Sequence, residues 1–284
     1  MDISIGLPNT LDVPGPLLVD WARRAEERGF HSLGTLDRIV YPSFDSLTAL
    51  SAAAGATTRI GLLTGVLLAP LYPPVWLAKA TASLDAICGG RLTLGLGVGG
   101  REDDFLAVGR SMRGRGTLMD EALDILQRSW AGQNVTGGQF PVGPPPADGT
   151  GVQLLIGGDS DAAVRRAVQY GQGWIAGAGG PEAAAPMIER VHAAWREAGR
   201  EGEPRIAALA YFGLGDPNAS RAALRSYYGF LGEWTETVVE GALRTPEAVR
   251  GAVKTYADVG VTELVLDPTV AAPDEIDRLA DIVL

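Results

Sequence analysis

Four short clusters in this chain combine carboxylates, guanidinium groups and glycines in ways that could carry chemistry. Asp37-Arg38 sets an acid beside a fixed cation. Arg101-Glu102-Asp103-Asp104 follows a glycine-rich run, Gly95-Leu96-Gly97-Val98-Gly99-Gly100. Gly157-Gly158-Asp159-Ser160 precedes a helical pattern, and Thr64-Gly65-Val66 lies within an apolar run. Acids next to arginines suit proton transfer or anion pairing. Glycines ahead of a helix leave N–H groups free to meet an anion such as a phosphate. The histidines, His31 and His192, and the single cysteine, Cys88, form no metal-ligand spacing and no internal disulfide. Neither a GxSxG elbow nor a GxxxxGK loop occurs.

Something must position these clusters, and the chain alternates between two kinds of segment. Ile3, Ile5 and Leu7 mark a first strand, and Pro14–Arg28 a helix stopped by Gly29. Ser32–Leu36 is a second strand, and Phe44–Ala54 a helix with Asp45 as its cap. Arg59–Leu68 and Arg91–Val98 are apolar runs without polar alternation, as parallel strands buried on both faces require. Between them Pro73 and Pro74 open a helix that Gly89-Gly90 close. Arg101–Val108 reads as a short connection or helical turn, and Arg115–Trp130 as a helix. Residues 132–151, rich in Gly and Pro, read as a loop.

The same rhythm continues to the end. Strands are expected at Val152–Ile156, Gly173–Ala176, Arg205–Leu214 and Glu263–Asp267. Helices are expected at Asp159–Tyr170, Pro181–Ala198, Asn218–Leu231, from Thr245-Pro246 to Val259, and at Pro273–Val283. Trp234–Leu243 fits neither pattern, so 217–245 is expected as a helical excursion. Eight such units predict a single α/β domain over 1–284, a (β/α)8 TIM barrel.

Composition narrows the function. The chain has 284 residues, 46% of them hydrophobic, and a net charge of −10. No basic run is present, which argues against nucleic acid. No apolar run reaches the length of a membrane span, and the N-terminus lacks a signal pattern, so the expected compartment is the cytoplasm. Both histidines fall at structural or exposed positions.

Active sites in such barrels lie at the carboxyl ends of the strands. That rule selects Leu7-Pro8-Asn9, Asp37 with Arg38, Thr64-Gly65-Val66, Gly97 to Glu102, Gly157-Gly158-Asp159-Ser160, and Ala176-Gly177 onward. Each has a plain alternative. Asp159 or Ser160 equally suits a helix cap, the REDD segment an exposed charged loop, and Asp37 a helix cap or loop-closing hydrogen bond. Tyr227, Phe230 and Leu231 have the spacing of a helix face, in the core or at an oligomer contact, with a substrate-pocket wall as the alternative.

The segment from Arg59 to Gly100 resembles the bacterial luciferase-like, flavin-dependent oxidoreductases. The residues that carry the resemblance are Thr64-Gly65-Val66-Leu67 with Pro70, Leu84-Asp85 with Gly89-Gly90-Arg91, and Gly95-Leu96-Gly97-Val98-Gly99. The resemblance implies a bulge at Gly65-Val66, often with a cis peptide, against the cofactor ring. It implies a phosphate site at Gly157, Gly158, Asp159 and Ser160, with Arg101 as a further phosphate contact. Thr64, Gly97, Val98, Ala176 and Gly177 complete the expected cofactor site. Asp37, Arg38 and Glu102 are the expected catalytic residues.

Many relatives have Asp-His or Glu-His at Asp37-Arg38, and an arginine cannot shuttle protons as histidine does. The departure puts a carried-over acid–base mechanism in doubt, although Tyr41 offers a nearby donor. The reading is a monooxygenase that uses O2 and reduced FMN, delivered by a separate flavin reductase, on a small organic substrate. F420-dependent hydride transfer is the alternative, and a non-catalytic flavin-binding barrel the third. A homodimer is expected in each case.

Overall fold

The structure, a computed structural model, describes residues 1–177 and 179–284. Eight parallel strands close a barrel in sequence order. They are β1 (Asp2–Gly6), β2 (Ser32–Thr35), β3 (Gly61–Leu68), β4 (Leu92–Gly97), β5 (Gln153–Gly157), β6 (Gly173–Ile175), β7 (Arg205–Phe212) and β8 (Glu263–Pro268). The last strand pairs with the first, Leu266 beside Ile5. The chain is thus a (β/α)8 TIM barrel.

Helices alternate with the strands: α1 (Gly15–Arg28), α2 (Ser46–Ala56), α3 (Pro74–Cys88), α4 (Glu102–Ala107), α5 (Arg115–Trp130), α6 (Asp161–Tyr170) and α7 (Gly180–Glu197). After β7 come α8 (Pro217–Tyr228), a 3-10 turn (Gly229–Leu231), α9 (Trp234–Glu240) and α10 (Pro246–Asp258), and α11 (Asp274–Val283) ends the chain. Local signals set most boundaries. Asp45 caps α2 by accepting from the Thr48 N–H (2.7 Å). Gly29 and Gly89, both with positive φ, stop α1 and α3. Residues 132–151 form no helix or strand. Strand seven ends at Phe212 rather than Leu214, because Gly213 donates its N–H to Leu243 O and turns the chain. Trp234–Leu243, ambiguous in sequence, contains a short helix.

Side chains fill the barrel in layers. At the amino-terminal end Glu263 accepts from the Ser4 and Ser32 hydroxyls (2.6 and 2.7 Å) and from Arg205 Nε (3.1 Å). Arg205 also reaches Thr93 Oγ1 (3.0 Å), which completes a polar floor. Above it Leu63, Leu155, Ile175, Ala207 and Val265 form an apolar plug, with Val66 packed on top. The opposite strand faces pack under the helices in a separate core. Both strand faces are therefore buried, which is why β3 and β4 show no alternation in sequence.

Candidate active site

Above the plug the barrel mouth divides in two. The half formed by β3 to β6 is built from glycine. The Gly65–Val66 peptide is cis, and the β3–β4 register shifts between Thr64 and Leu67. A Cβ at Gly95 would lie 2.1 Å from Thr64 O, and one at Gly97 2.6 Å from Val66 Cγ2. Glycine on β4 thus makes room for the bulge on β3. Thr64 spends its hydroxyl on Gly95 O (2.8 Å). Val98 is half-buried against the outer core.

Beside this bulge, between the ends of β5 and β6 and the start of α7, lies a cavity of about 390 Å³ lined by Gly158, Asp159, Ala176, Gly177, Gly180 and Met187. Trp174 forms one wall and donates to Gly158 O (2.7 Å). Ser160 caps α6, accepting from the Ala163 N–H (3.2 Å). Among the described residues no side chain caps α7, whose N-cap is Gly179, so the first-turn N–H groups, other than at Pro181, which has none, are available to a ligand. These groups fit the phosphate of a flavin-type cofactor through backbone N–H donors.

Arg101 does not line that cavity. Its guanidinium grips Asp103 (2.6 and 3.2 Å) and lies 4.0 Å from the Phe230 ring centre. Arg101 and Ser160 share no hydrogen bond among the described residues. Glu102 is exposed at the start of α4.

The other half, from β7 round to β2, carries acids and aromatics. Asp37 is buried and accepts from the Leu68 N–H (2.9 Å) and the Tyr72 hydroxyl (2.9 Å). Burial outweighs those bonds and pushes its carboxyl up to about 6. The same burial, with the Asp37 charge beside it, raises the Tyr72 hydroxyl far above its ordinary value. Arg38 is buried, donates to Val40 O (2.7 Å) and sits 3.2 Å from Asp104. Its guanidinium lies over Tyr41 and Tyr227, at 5.2 and 5.4 Å. Tyr41 is hydrogen-bonded to Ser226 (2.9 Å). Asn9 is fully used in tying the end of β1 to the loop after β2.

α8, the 3-10 turn and α9 roof this half. Leu224, Tyr227, Tyr228 and Val239 pack on Leu36, Leu209 and Tyr211. The Tyr211 and Tyr228 hydroxyls are 2.6 Å apart. The aromatic run near Tyr227 is thus the roof of the mouth.

Three residues here were not singled out by sequence reasoning. Asp104, within the REDD segment, is fully buried and accepts from the Ile39 and Val40 N–H groups (3.0 and 2.7 Å). Tyr72 reaches Asp37 across the loop after β3. Asp267, the last acid of β8, is buried in the mouth; the strand-end rule itself points to it.

A family model described as luciferase-like monooxygenase matches residues 13–276. An uncharacterised protein of Mycobacterium tuberculosis is 32% identical over 206 residues, 63% of this chain and 71% of that protein. An F420-dependent hydroxymycolic acid dehydrogenase of the same organism is 30% identical over 182 residues, 56% of this chain and 48% of that enzyme. Among solved structures, the monooxygenase RslO1 from Streptomyces bottropensis superposes with a TM-score of 0.81 at 23% identity, covering 99% of this chain and 97% of that one. That last likeness is one of fold.

Proposed function

Since the chain belongs to the luciferase-like monooxygenase family, a family of oxidoreductases with flavin- and F420-dependent members, we propose that it is a two-electron oxidoreductase with its cofactor across the mouth, and that the cofactor is F420. The observation that carries the reading is Asp37. The absence of a histidine at position 38 argued for oxygen chemistry, because hydride transfer from an alcohol, or to the matching carbonyl, needs a group that moves the accompanying proton near neutral pH. Asp37, with its carboxyl at about 6, is such a group one residue earlier. The dehydrogenase relative with F420 in its name adds support.

F420 would supply the hydride acceptor or donor. The chain's own residues do the rest. The bulge at Gly65-Val66 supports a flat ring, the cavity beside α7 takes a phosphate, and the roof excludes water. Arg38 is held by Asp104 and stacked on tyrosines, and in this reading it shapes the site without exchanging protons.

A second reading is monooxygenation with reduced FMN and O2, FMN coming from a separate reductase. The aromatic roof favours it, since a water-excluded mouth protects reactive intermediates. The substrate is a small organic molecule in both readings. A homodimer belongs to both as well, and Trp76 and Ile87, exposed on α3, offer apolar surface for a second copy. Titration of the protein with F420, FMN and reduced FMN tests the choice. F420 affinity well above that for either form of FMN is expected, and tight reduced-FMN binding with rapid O2 consumption would reverse it. No binding of any of the three would leave neither reading standing.

A further inference from the structure

Asp37, Asp85, Asp104, Glu263 and Glu275 are buried acids, and each accepts at least one hydrogen bond. Asp267 is buried as deeply, at 2% exposure, yet no described residue donates to it or pairs with it. Side chains alternate along a strand, so Asp267 points into the barrel as Val265 does, one layer nearer the mouth. Tyr211 is its register mate on β7. On the other side is β1: a Cβ at Gly6 would stand 2.0 Å from Asp267 Oδ1. The carboxyl therefore occupies room that only a glycine at position 6 leaves. Burying an acid with no partner is costly. An apolar side chain would fill the same space without that cost, so packing alone does not account for the acid.

We infer that Asp267 anchors a neutral oxygen of the substrate, a ketone carbonyl or the matching secondary alcohol, beneath the roof; the ligand class rests on the oxidoreductase reading. A protonated carboxyl can donate through O–H and accept through C=O, so it serves either oxidation state of such a substrate. Burial with no cation beside it shifts the Asp267 carboxyl upward, toward its protonated form. Its neighbours match that state, because burial also keeps the Tyr211 and Tyr227 hydroxyls protonated. The surrounding Leu36, Leu209 and Leu224 are apolar. A neutral oxygen on a carbon frame matches the chemistry of this apolar, uncharged lining, whereas an anionic group would meet an acid whose ionisation it opposes.

Infrared difference spectroscopy on the cofactor-free protein tests this, with cyclohexanone as the probe and methylenecyclohexane as its oxygen-free mimic. Wild type is expected to show a protonated-carboxyl band at neutral pH that Asp267→Asn lacks, and cyclohexanone should shift it. Asp267→Ala should weaken cyclohexanone about tenfold, the scale of one hydrogen bond, and leave methylenecyclohexane unchanged. Asp267→Asn keeps a donor and should retain most of the ketone affinity, which separates lost bonding from lost folding. Absence of the band, failure of the wild type to bind the ketone, or equal losses for ketone and mimic in Asp267→Ala would each overturn the assignment. If F420 and FMN both fail to bind while the band responds to cyclohexanone, the cofactor reading falls and the oxygen anchor stands.

Discussion

Glu263 and Asp267 lie on the same strand, on the same inward face, and are equally buried at 1% and 2% exposure. Their surroundings are opposite. Burial works to raise the Glu263 carboxyl, but the Arg205 charge and the Ser4 and Ser32 hydroxyls outweigh it and bring it below its ordinary value. Asp267 has burial alone and goes far up. The floor of the barrel satisfies Glu263, and the mouth leaves Asp267, unlike Asp37 and Asp104, without a donor among the described residues. That contrast is the division of labour expected of a (β/α)8 barrel, with the fold secured at one end and chemistry exposed at the other. Burial by itself therefore does not set a carboxylate's state, since the same burial is answered by partners at Glu263 and left unanswered at Asp267.

The largest expected effect breaks the satisfied end. Glu263→Ala leaves Arg205 without its acid and two hydroxyls without their acceptor. Breaking a buried pair costs about 3 kcal/mol, here at the low end because Arg205 is a quarter exposed on its side chain. In a chain of this length that lowers Tm by roughly 6–12 °C. Cofactor affinity of the folded protein should not change. An unchanged Tm in a calorimetric scan would remove the floor from the stabilising side of the comparison.

Asp37 gives the comparison a pH axis. Its folded carboxyl titrates at about 6, above its ordinary 3.8. A raised acid contributes stability that is fully present below about pH 4 and lost as pH rises through 6. The size is roughly 2–3 kcal/mol, from about two units at 1.36 kcal/mol each. Glu263 has the opposite sign, with stability present at neutral pH and lost in acid. In Asp37→Asn the loss between pH 4 and 7 should shrink by that amount in urea titrations. A variant curve parallel to wild type over that window would refute the shift.

Gly97→Ala probes the glycine half. The new methyl would stand 2.6 Å from Val66 Cγ2, so Val66 must move. Overpacking of this kind costs about 1–3 kcal/mol. Because Val66 tops the plug where the cofactor ring is proposed to rest, affinity for the ring should fall along with stability. Loss of stability with full cofactor affinity would move the ring elsewhere in the mouth.

The barrel was legible because its signals are local. Prolines start helices, glycines end them, and unbroken apolar runs give parallel strands. The bulge at Gly65-Val66 was legible only through resemblance, since nothing in those residue types demands a cis peptide. The acid pairing was not legible at all. Arg101 and Arg38 each look free in sequence, and the structure joins them to Asp103 and Asp104 through a turn whose geometry no spacing rule supplies. Glu102 and Asp104 read alike in the REDD segment, but α4 exposes one and buries the other. Asp267 was within reach of the strand-end rule, yet the room for its carboxyl depends on Gly6, far away in the chain.

The smallest effect concerns the roof over the acid-bearing half. Phe230 is nearly half exposed, stacks with Tyr228, and receives the Arg101 guanidinium at 4.0 Å. Its ring links α8 and α9 to the loop after β4. Such a cation–π contact at a partly exposed site is worth about 0.5–1 kcal/mol. Arg101 keeps Asp103 when the ring is removed, so Phe230→Ala should barely move Tm. The loss should appear locally, as hydrogen exchange roughly two- to fivefold faster across 217–240. Exchange around Gly158 and the start of α7 should stay as it is, because that half takes no contact from the ring. If both halves loosen together, the mouth is one cooperative unit and its division into a rigid glycine side and a roofed acid side fails. If only the roof loosens, the roof opens independently of the cavity beside α7, as the proposed entry of substrate over Asp267 with a cofactor already bound requires.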